Sequence, residues 1–113
     1  MRADGVKGHL DLVLLGALAT GDGHGYALMA WLKAHTDGVV DLPEGLVYPA
    51  LHRLEDAGLV TSSWGVESGR RRRHYRLTAD GTRALASQRG EWRRLVDAVD
   101  AVLAAGPSRV VPA

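Results

Sequence analysis

The part of the chain between residues 42 and 75 limits the possible folds more than any other. It contains an amphipathic segment, a glycine stop at Gly58, and two runs of strand character around a turn crowded with arginines. Helical spacing in the amphipathic segment groups four apolar side chains on one face, namely Val47, Ala50, Leu51 and Leu54. The other face carries Glu44, Tyr48 and His52, with Arg53 on a flank. The order predicts a helix followed by a β-hairpin.

Two prolines lie in the predicted helix. Pro43 suits its first turn, where a missing N–H removes no hydrogen bond, and Glu44 suits the positive end of the helix dipole. Pro49 fits less well, because a proline inside a helix removes a backbone hydrogen bond and costs about 3 kcal/mol. Two arrangements stay open: a distorted first turn, or a helix that begins later.

The hairpin is predicted from residues 59–66 and 72–77, which have strand character, and from residues 67–71, which form a turn around Gly69. The glycine stop at Gly58 separates the hairpin from the preceding helix. We expect Trp64, on the first strand, to pack across the hairpin on Tyr75 or on the helix behind it.

Two further helices are predicted before this part of the chain. The first has apolar residues at the i, i+3, i+4, i+7 and i+8 positions, namely Leu10, Val13, Leu14, Ala17 and Leu18. The three glycines within residues 20–25 predict a turn, since glycine weakens a helix. Residues 26–35 form the second predicted helix, with Trp31 in the core, and Asp37 and Gly38 end it.

A long helix is predicted after the hairpin. Thr78 is a good N-cap, and Asp80 favours the first turn. Apolar residues then recur at near-heptad spacing from Leu85 to Leu103, and a small domain has little core left to bury the later ones. We therefore expect this helix to pack against its copy in a homodimer. The predicted dimer interface consists of Trp92, Leu95, Val96, Val99, Val102 and Leu103.

The element order predicts a mainly α fold with a β-hairpin, namely a winged helix-turn-helix followed by a long C-terminal dimerisation helix. The 113 residues suffice for one compact domain. The expected boundaries are residues 8–78 for the winged helix-turn-helix DNA-binding domain and 79–105 for the dimerisation helix. Loose termini are expected at 1–7 and 106–113.

Composition excludes several classes of protein. The chain has no cysteine, which rules out disulfides and thiolate metal sites. No apolar run approaches the roughly 20 residues that span a bilayer, and the N-terminus lacks the apolar core of a signal peptide. We therefore expect a cytoplasmic protein without a membrane partner. The formal net charge of +1 says little about nucleic acid, but five arginines crowd residues 70–76.

Catalysis has little support in the sequence. The five histidines form no i, i+4 pair with a third ligand, so we expect no metal and no other cofactor. Ser62 and Ser63 lie in a predicted strand without an organised base or oxyanion motif. We predict that the protein is not an enzyme.

The four consecutive arginines at residues 70–73 have two interpretations, a solvated charged face or a contact with DNA. Such charges repel one another unless an anion neutralises them, and the flanking strands would hold them at the hairpin tip. A DNA minor groove or phosphate backbone is therefore the favoured partner.

The helix before the hairpin offers further candidate contacts with DNA. Tyr48 and His52 either pack partly buried or donate to phosphates and base edges. Arg53 either joins them or pairs with an acidic residue. The acidic candidates are Glu55, Asp56 and Asp97.

His24 and Tyr26 stand at the start of the second helix, where a helix N-terminus offers its amides to a phosphate. They complete the set of candidate contacts. The predicted DNA-binding residues are His24, Tyr26, Glu44, Tyr48, His52, Arg53, Arg70, Arg71, Arg72 and Arg73.

Trp92 has two interpretations in the predicted dimer. Two symmetry-related indoles facing each other across an apolar space would suit a small flat aromatic ligand, held by stacking. Alternatively, the indoles only pack in the interface. The candidate effector-binding residues are Trp92, Gln88 and Val96.

Two motifs are specific. Residues 44–60 read Glu-Gly-Leu-Val-Tyr-Pro-Ala-Leu-His-Arg-Leu-Glu-Asp-Ala-Gly-Leu-Val, and residues 68–78 read Ser-Gly-Arg-Arg-Arg-Arg-His-Tyr-Arg-Leu-Thr. With Gly25, Tyr26 and Gly81, they closely resemble the PadR family of transcriptional regulators over about residues 10–103. The resemblance implies a winged-helix dimer that represses promoters, often of transport, detoxification or stress genes. A proline at the position of Pro49 is also usual in that family.

The single short C-terminal helix resembles that of a small subclass of this family, which includes regulators that respond to multiple drugs. In those regulators a tryptophan of the dimer helix stacks on planar ligands, and Trp92 matches its position. Two positions depart from the family pattern. Leu46 stands where many members have a threonine that can reach DNA, and Pro43 replaces a common serine cap.

We therefore predict a homodimeric transcriptional regulator, a repressor, that binds a pseudo-palindromic operator in double-stranded DNA and is released by a small planar aromatic effector. Its third helix would enter the major groove, and the arginine-bearing wing would contact the flanking minor groove or phosphates. In the alternative, the chain has the same fold but binds no operator. It is then a winged-helix interaction module whose hairpin binds an acidic protein partner. The salt dependence and sequence preference of duplex binding separate the two.

Overall fold

The computed structural model describes residues 7–107. A 3-10 turn at Lys7–His9 leads into helix α1 at Leu10–Thr20, followed by α2 at Gly25–His35 and α3 at Glu44–Asp56. Strands β1 at Val60–Glu67 and β2 at Arg70–Leu77 form an antiparallel hairpin, and helix α4 spans Ala79–Leu103. This order confirms the predicted mainly α winged helix-turn-helix with a long C-terminal helix. The predicted loose termini fall, at 1–6 and 108–113, outside the described residues, and the domain boundaries stay predictions.

The core is built from one face each of α1, α2 and α3 and is closed by the base of the hairpin. The four apolar residues of the α3 face are all buried, as their helical spacing predicts. The largest side chains less than 2% exposed are Leu14, Leu15, Leu51, Leu54, Val47 and Val60. Burying one such side chain contributes about 1.5–3 kcal/mol. This cluster is therefore what holds α3 against the other helices.

The prediction that Trp31 belongs to the core is wrong. On α2 the buried side chains are Leu28 and Leu32, whereas Trp31 is 36% exposed. The two leucines fill the inward face of this short helix, and Trp31 lies at the edge of the apolar stripe. Its indole instead stacks on His35, one turn later, with 4.6 Å between the ring centroids.

Helix α3 runs through Pro49 without a break, so neither a distorted first turn nor a late start is observed. Pro43 is the N-cap residue with an extended backbone, rather than a first-turn residue. Its carbonyl accepts from the N–H groups of Leu46 and Val47 at 3.0 and 3.1 Å. Pro49 removes one backbone hydrogen bond, and the buried face of the same helix offsets that loss.

The turn of the hairpin is shorter than predicted, and the second strand is longer. Ser68 and Gly69, with φ of 52° and 76°, make a two-residue turn whose left-handed angles match the twist of paired strands. Strand β1 therefore continues to Glu67 and β2 begins at Arg70. The prediction of a turn over residues 67–71 is wrong, and Arg71 is a strand residue.

A third short segment widens the wing. Gly23 pairs with Tyr75, and the two N–H to carbonyl distances are 3.1 and 2.8 Å. The prediction of a simple turn at residues 20–25 is therefore incomplete, since the segment also ties the hairpin to the start of α2. Tyr75 is buried at this bridge, opposite Ser62. Trp64 lies nearer the tip and is 58% exposed, so its predicted packing on Tyr75 or on a helix is wrong.

Helix α4 begins as predicted. The Thr78 hydroxyl accepts the N–H of Gly81 at 3.0 Å and donates to the Gly58 carbonyl at 2.6 Å, and Asp80 lies in the first turn. The helix packs on α1 near Leu85 and then extends away. The molecule measures 65 × 29 × 21 Å, and its radius of gyration is 17.3 Å, against about 13 Å for a compact chain of this length. The second half of α4 therefore has little of its own chain to cover it.

Gly81 is the position where one added methyl group has a clear effect on stability. A Cβ there would lie 1.9 Å from the carbonyl oxygen of Leu59, which belongs to the backbone. We expect Gly81→Ala to lower the free energy of unfolding by about 1–3 kcal/mol, the usual cost of overpacking. Gly90→Ala, also on α4, is the matched control, because a Cβ there meets only the guanidinium of Arg94 at 3.7 Å. Urea denaturation compares the two, and a Gly81→Ala variant as stable as the Gly90→Ala variant would contradict the close approach.

Candidate nucleic-acid interface

His24 links the start of α2 to the wing. Its Nδ1 accepts the N–H of Ala27 at 3.1 Å, so the proton of the neutral ring lies on Nε2. Nε2 faces the carboxylate of Glu67 at 2.9 Å, and the imidazole meets that of His74 edge-on with 5.7 Å between centroids. Glu67 and His74 both belong to the hairpin. The wing and the N-terminus of α2 are therefore held together by side chains as well as by the Gly23 bridge.

Tyr48 of α3 crosses the same helix start. Its ring lies against Gly25, where a Cβ would come within 2.6 Å of two ring carbons, so a larger residue would displace the tyrosine. The ring of Tyr26 meets that of Tyr48 edge-on with 6.4 Å between centroids. The hydroxyl of Tyr26 donates to the carboxylate of Glu44 on α3. The N-terminal ends of α2 and α3 are thus joined by polar side chains.

Both tyrosines remain hydrogen-bond donors over a wide pH range. The Glu44 carboxylate raises the pKa of Tyr26 above its ordinary value of 10.0, first through the hydrogen bond and then through its negative charge. Partial burial raises the pKa of Tyr48, and the charge of Glu44 adds to the effect. The hydroxyls therefore stay protonated at neutral pH. That of Tyr48 can donate to a phosphate oxygen, whereas the single proton of Tyr26 is already donated to Glu44.

The arginines of β2 alternate between the two faces of the hairpin, because successive strand residues point to opposite sides. Arg72 faces α2, with its guanidinium carbon 5.5 Å from the ring centroid of Tyr26. Arg71 and Arg73 lie on the other face, against the indole of Trp64. The cluster therefore extends from the turn back along the strand, rather than lying wholly at the tip.

All ten predicted DNA-binding residues lie on α3, on the wing or at the start of α2. Nine of them, all except Arg53, make up what we call the α2–α3–wing surface. His52 is exposed on α3 one turn after Tyr48, and Arg70 is exposed at the turn end of β2. The surface consists of His24, Tyr26, Glu44, Tyr48, His52, Arg70, Arg71, Arg72 and Arg73. Their role in binding DNA stays a prediction.

Arg53 is set apart from this surface. Its guanidinium pairs with the carboxylate of Asp11 on α1, and not with any of the three acidic residues expected from the sequence. It lines an open groove of about 700 Å³ between the start of α1 and the side of α4. The sequence gives no sign of this pair, because the two residues are far apart in the chain.

The same groove contains two of the three candidate effector-binding residues. Trp92 and Gln88 line it, whereas Val96 is half-buried on α4 outside the lining. The indole of Trp92 meets the ring of His9 edge-on with 4.8 Å between centroids. Asp11 and Glu91 place carboxylates in the lining. One wall of the groove is thus aromatic, and the rest of its lining carries both acidic and basic side chains.

The predicted dimer residues form an apolar stripe along α4 that is open to solvent. Trp92 and Val96 are half-buried, and Leu95, Val99, Val102 and Leu103 are 46%, 45%, 74% and 76% exposed. Exposed apolar side chains in a row, rather than singly, mark a surface that another protein or ligand covers.

Three residues that hold the α2–α3–wing surface together were not anticipated from the sequence: Gly23, Glu67 and His74. Their partners lie elsewhere in the chain, and no local pattern signals such contacts. A metal does not account for the cluster, since residues 7–107 contain no group of three His, Cys, Asp or Glu side chains placed to hold one. In the same part of the chain, no helix has both the length and the apolar character that crossing a bilayer requires.

Comparisons of the sequence and of the fold with known proteins agree with one another. Residues 14–87 match the sequence model of the transcriptional regulator PadR-like family. The transcriptional regulator Rv3488 of Mycobacterium tuberculosis is 41% identical over 78 residues, which cover 69% of this chain and 70% of that protein. A transcriptional regulator from Clostridium thermocellum has a solved structure with a TM-score of 0.79 and 30% identity, covering 86% of this chain and 95% of that chain.

A structure of Bacillus subtilis PadR in complex with operator DNA is also similar in fold. The TM-score is 0.63 at 21% identity, and the match covers 93% of this chain but 52% of that longer chain. At this identity the likeness is one of fold alone.

Proposed function

Because this chain belongs to the PadR-like family of transcriptional regulators, we propose that it represses transcription as a homodimer bound to a pseudo-palindromic operator. The observation that carries the proposal is the α2–α3–wing surface, on which hydroxyl, imidazole and guanidinium donors of three elements lie together. Bacillus subtilis PadR, which is similar in fold, has been solved in complex with operator DNA, and this supports operator binding by the present chain. The family consists of regulators, and this chain is accordingly not an enzyme.

In the proposed complex, α3 enters the major groove with Tyr48 and His52 directed to phosphates or base edges. Glu44 holds the Tyr26 hydroxyl and would accept from a cytosine amino group in the groove. The arginines of β2 contact phosphates or the flanking minor groove. Positions that read bases give specificity, while the arginines supply affinity that falls with added salt.

The proposed homodimer is supported by the open apolar stripe of α4. The stripe extends beyond the region where α4 packs on α1, and each half-exposed valine or leucine gains stabilisation when covered. A two-fold dimer covers the same stripe on both copies at once. It also fixes the separation of the two α3 helices, which a palindromic operator requires.

We further propose that a small planar aromatic effector binds next to Trp92 and changes the separation of the two α3 helices. The groove that contains Trp92 and Gln88 supports this site, and it adjoins the proposed dimer seam at Leu95. Binding there would shift the dimer between an operator-competent and an incompetent arrangement, provided that the ligand binds one of them more tightly.

Adding a planar aromatic dye that does not itself bind DNA is expected to weaken operator binding about tenfold, within the usual range of coupling between two sites. The variant Trp92→Ala is expected to lose the response to the dye, and because Trp92 also belongs to the proposed dimer interface, the response is measured relative to the affinity of that variant without dye. Trp31→Ala is the matched control, since it removes a partly exposed tryptophan that lies on α2 instead of α4. Fluorescence anisotropy of labelled operator DNA measures both effects. An unchanged dye response in Trp92→Ala would contradict the effector site while leaving the operator proposal intact.

A further inference from the structure

Trp64 lies on the face of the hairpin that carries the buried Val60 and Tyr75 at its base. It is 58% exposed, although a large apolar side chain is ordinarily covered. Its ring is contacted by two arginines of the opposite strand. The guanidinium carbon of Arg71 lies 4.9 Å from the centroid of the indole, and that of Arg73 lies 5.4 Å from it.

The two arginines differ in their other partners. Arg73 donates from Nε to the Ser62 hydroxyl at 2.6 Å, and its guanidinium lies 3.9 Å from the carboxylate of Glu55. Arg71 is exposed, and the structure shows no ion pair for it within residues 7–107. The indole is therefore the main contact that fixes the direction of the Arg71 side chain.

A contact with an aromatic ring and an ion pair have different effects on the charge of an arginine. The ring attracts the guanidinium through its quadrupole and neutralises none of its charge. An arginine held in this way keeps its full charge and its N–H donors for a phosphate. It also loses less side-chain entropy on binding, because one orientation is already favoured.

We propose that Trp64 is a positioning residue for DNA binding, which holds Arg71, next to Arg73, for contact with the phosphate backbone. The proposal rests on the operator-binding function above. Arg72 lies on the opposite face against Tyr26, so the hairpin presents cations on both sides. Phosphates carry no sequence information, so Trp64 contributes affinity for any duplex and not preference for the operator.

The first test compares Trp64→Ala, Trp64→Phe and wild type in binding to operator and to a shuffled duplex over a series of salt concentrations. Trp64→Ala is expected to weaken binding to both duplexes about fivefold, the scale of two exposed cation–π contacts, and to make the salt dependence less steep. Trp64→Phe retains an aromatic face and is expected to recover most of the affinity. Val66→Ala is the matched control, because Val66 lies opposite Arg71 and is 74% exposed.

A second test separates positioning from direct contact. In a background of Arg71→Ala with Arg73→Ala, the additional change Trp64→Ala is expected to have no effect on affinity. An equal loss in that background would show that the indole binds DNA itself and would overturn the positioning role. Affinity of Trp64→Ala equal to that of wild type would overturn it as well. Failure of wild type to bind either duplex would instead remove the operator function on which the proposal rests, and thermal melting of each variant shows whether the fold is retained.

Discussion

Replacing Arg70, Arg71, Arg72 and Arg73 together by alanine is expected to weaken operator binding more than about a hundredfold, because each charge-assisted hydrogen bond contributes about 1.5–3 kcal/mol. The effect is expected to fall short of a simple sum. Arg73 is already paired with Glu55 and Ser62, and Arg72 lies over Tyr26, so part of their capacity is used within the protein. The salt dependence identifies the cause, since each lost phosphate contact makes the slope of log K against log salt less steep by about 0.9.

The matched control for this variant removes four arginines of α4, namely Arg83, Arg89, Arg93 and Arg94. Both variants change the net charge equally, and all four control residues are exposed. The α4 variant is expected to bind the operator within a few-fold of wild type. An equal loss in both variants would assign the effect to net charge and contradict a specific role of the wing. Anisotropy titrations at several salt concentrations make the comparison.

Placing glutamates in the apolar stripe of α4 is expected to convert the dimer to monomers. In a variant with Val99→Glu and Val102→Glu, a two-fold dimer would bury four added carboxylates. An unpaired buried charge carries a penalty of several kcal/mol, so the dissociation constant is expected to rise at least about a hundredfold. Operator affinity should fall with it, because a monomer engages only one half-site.

A variant with Ala101→Glu and Ala104→Glu is the control for the dimer experiment. It adds the same charge away from the stripe, at Ala101 of α4 and at Ala104, which follows the end of the helix, and both alanines are exposed. By sedimentation equilibrium, we expect wild type and the control to be dimers and the stripe variant to be a monomer. A monomeric wild type, or a stripe variant that stays dimeric, would contradict the proposed interface.

Local rules in the sequence predicted much of the fold. The buried face of α3 follows from helical spacing alone, and it holds in the structure at all four positions. The Thr78 cap and the Gly58 stop are also local, since each needs only the residues of one turn. Pro49 shows where a local rule is overridden, because packing of the helix face outweighs one missing hydrogen bond.

Predictions that depended on where side chains meet were less successful. Trp31 and Trp64 were both expected to be covered. Trp31 is exposed because other residues of α2 fill the core, and Trp64 is exposed because it lies near the tip of the hairpin. The residue types of the α2–α3–wing surface were predicted, whereas the links that assemble it were not. The contact of His24 with Glu67 joins residues far apart in the chain, as does the pair of Arg53 with Asp11 outside this surface, and nothing in the local sequence indicates either partner.

Operator binding is tested by equilibrium binding of the wild-type protein to the DNA upstream of its own coding region. A shuffled duplex of the same length and composition is measured beside it at several salt concentrations. We expect the upstream DNA to bind at least about a thousandfold more tightly at physiological salt, as specific complexes do, with affinity for both falling as salt rises. Equal affinity for the two duplexes at moderate salt would contradict operator binding and favour an acidic protein as the partner of the wing.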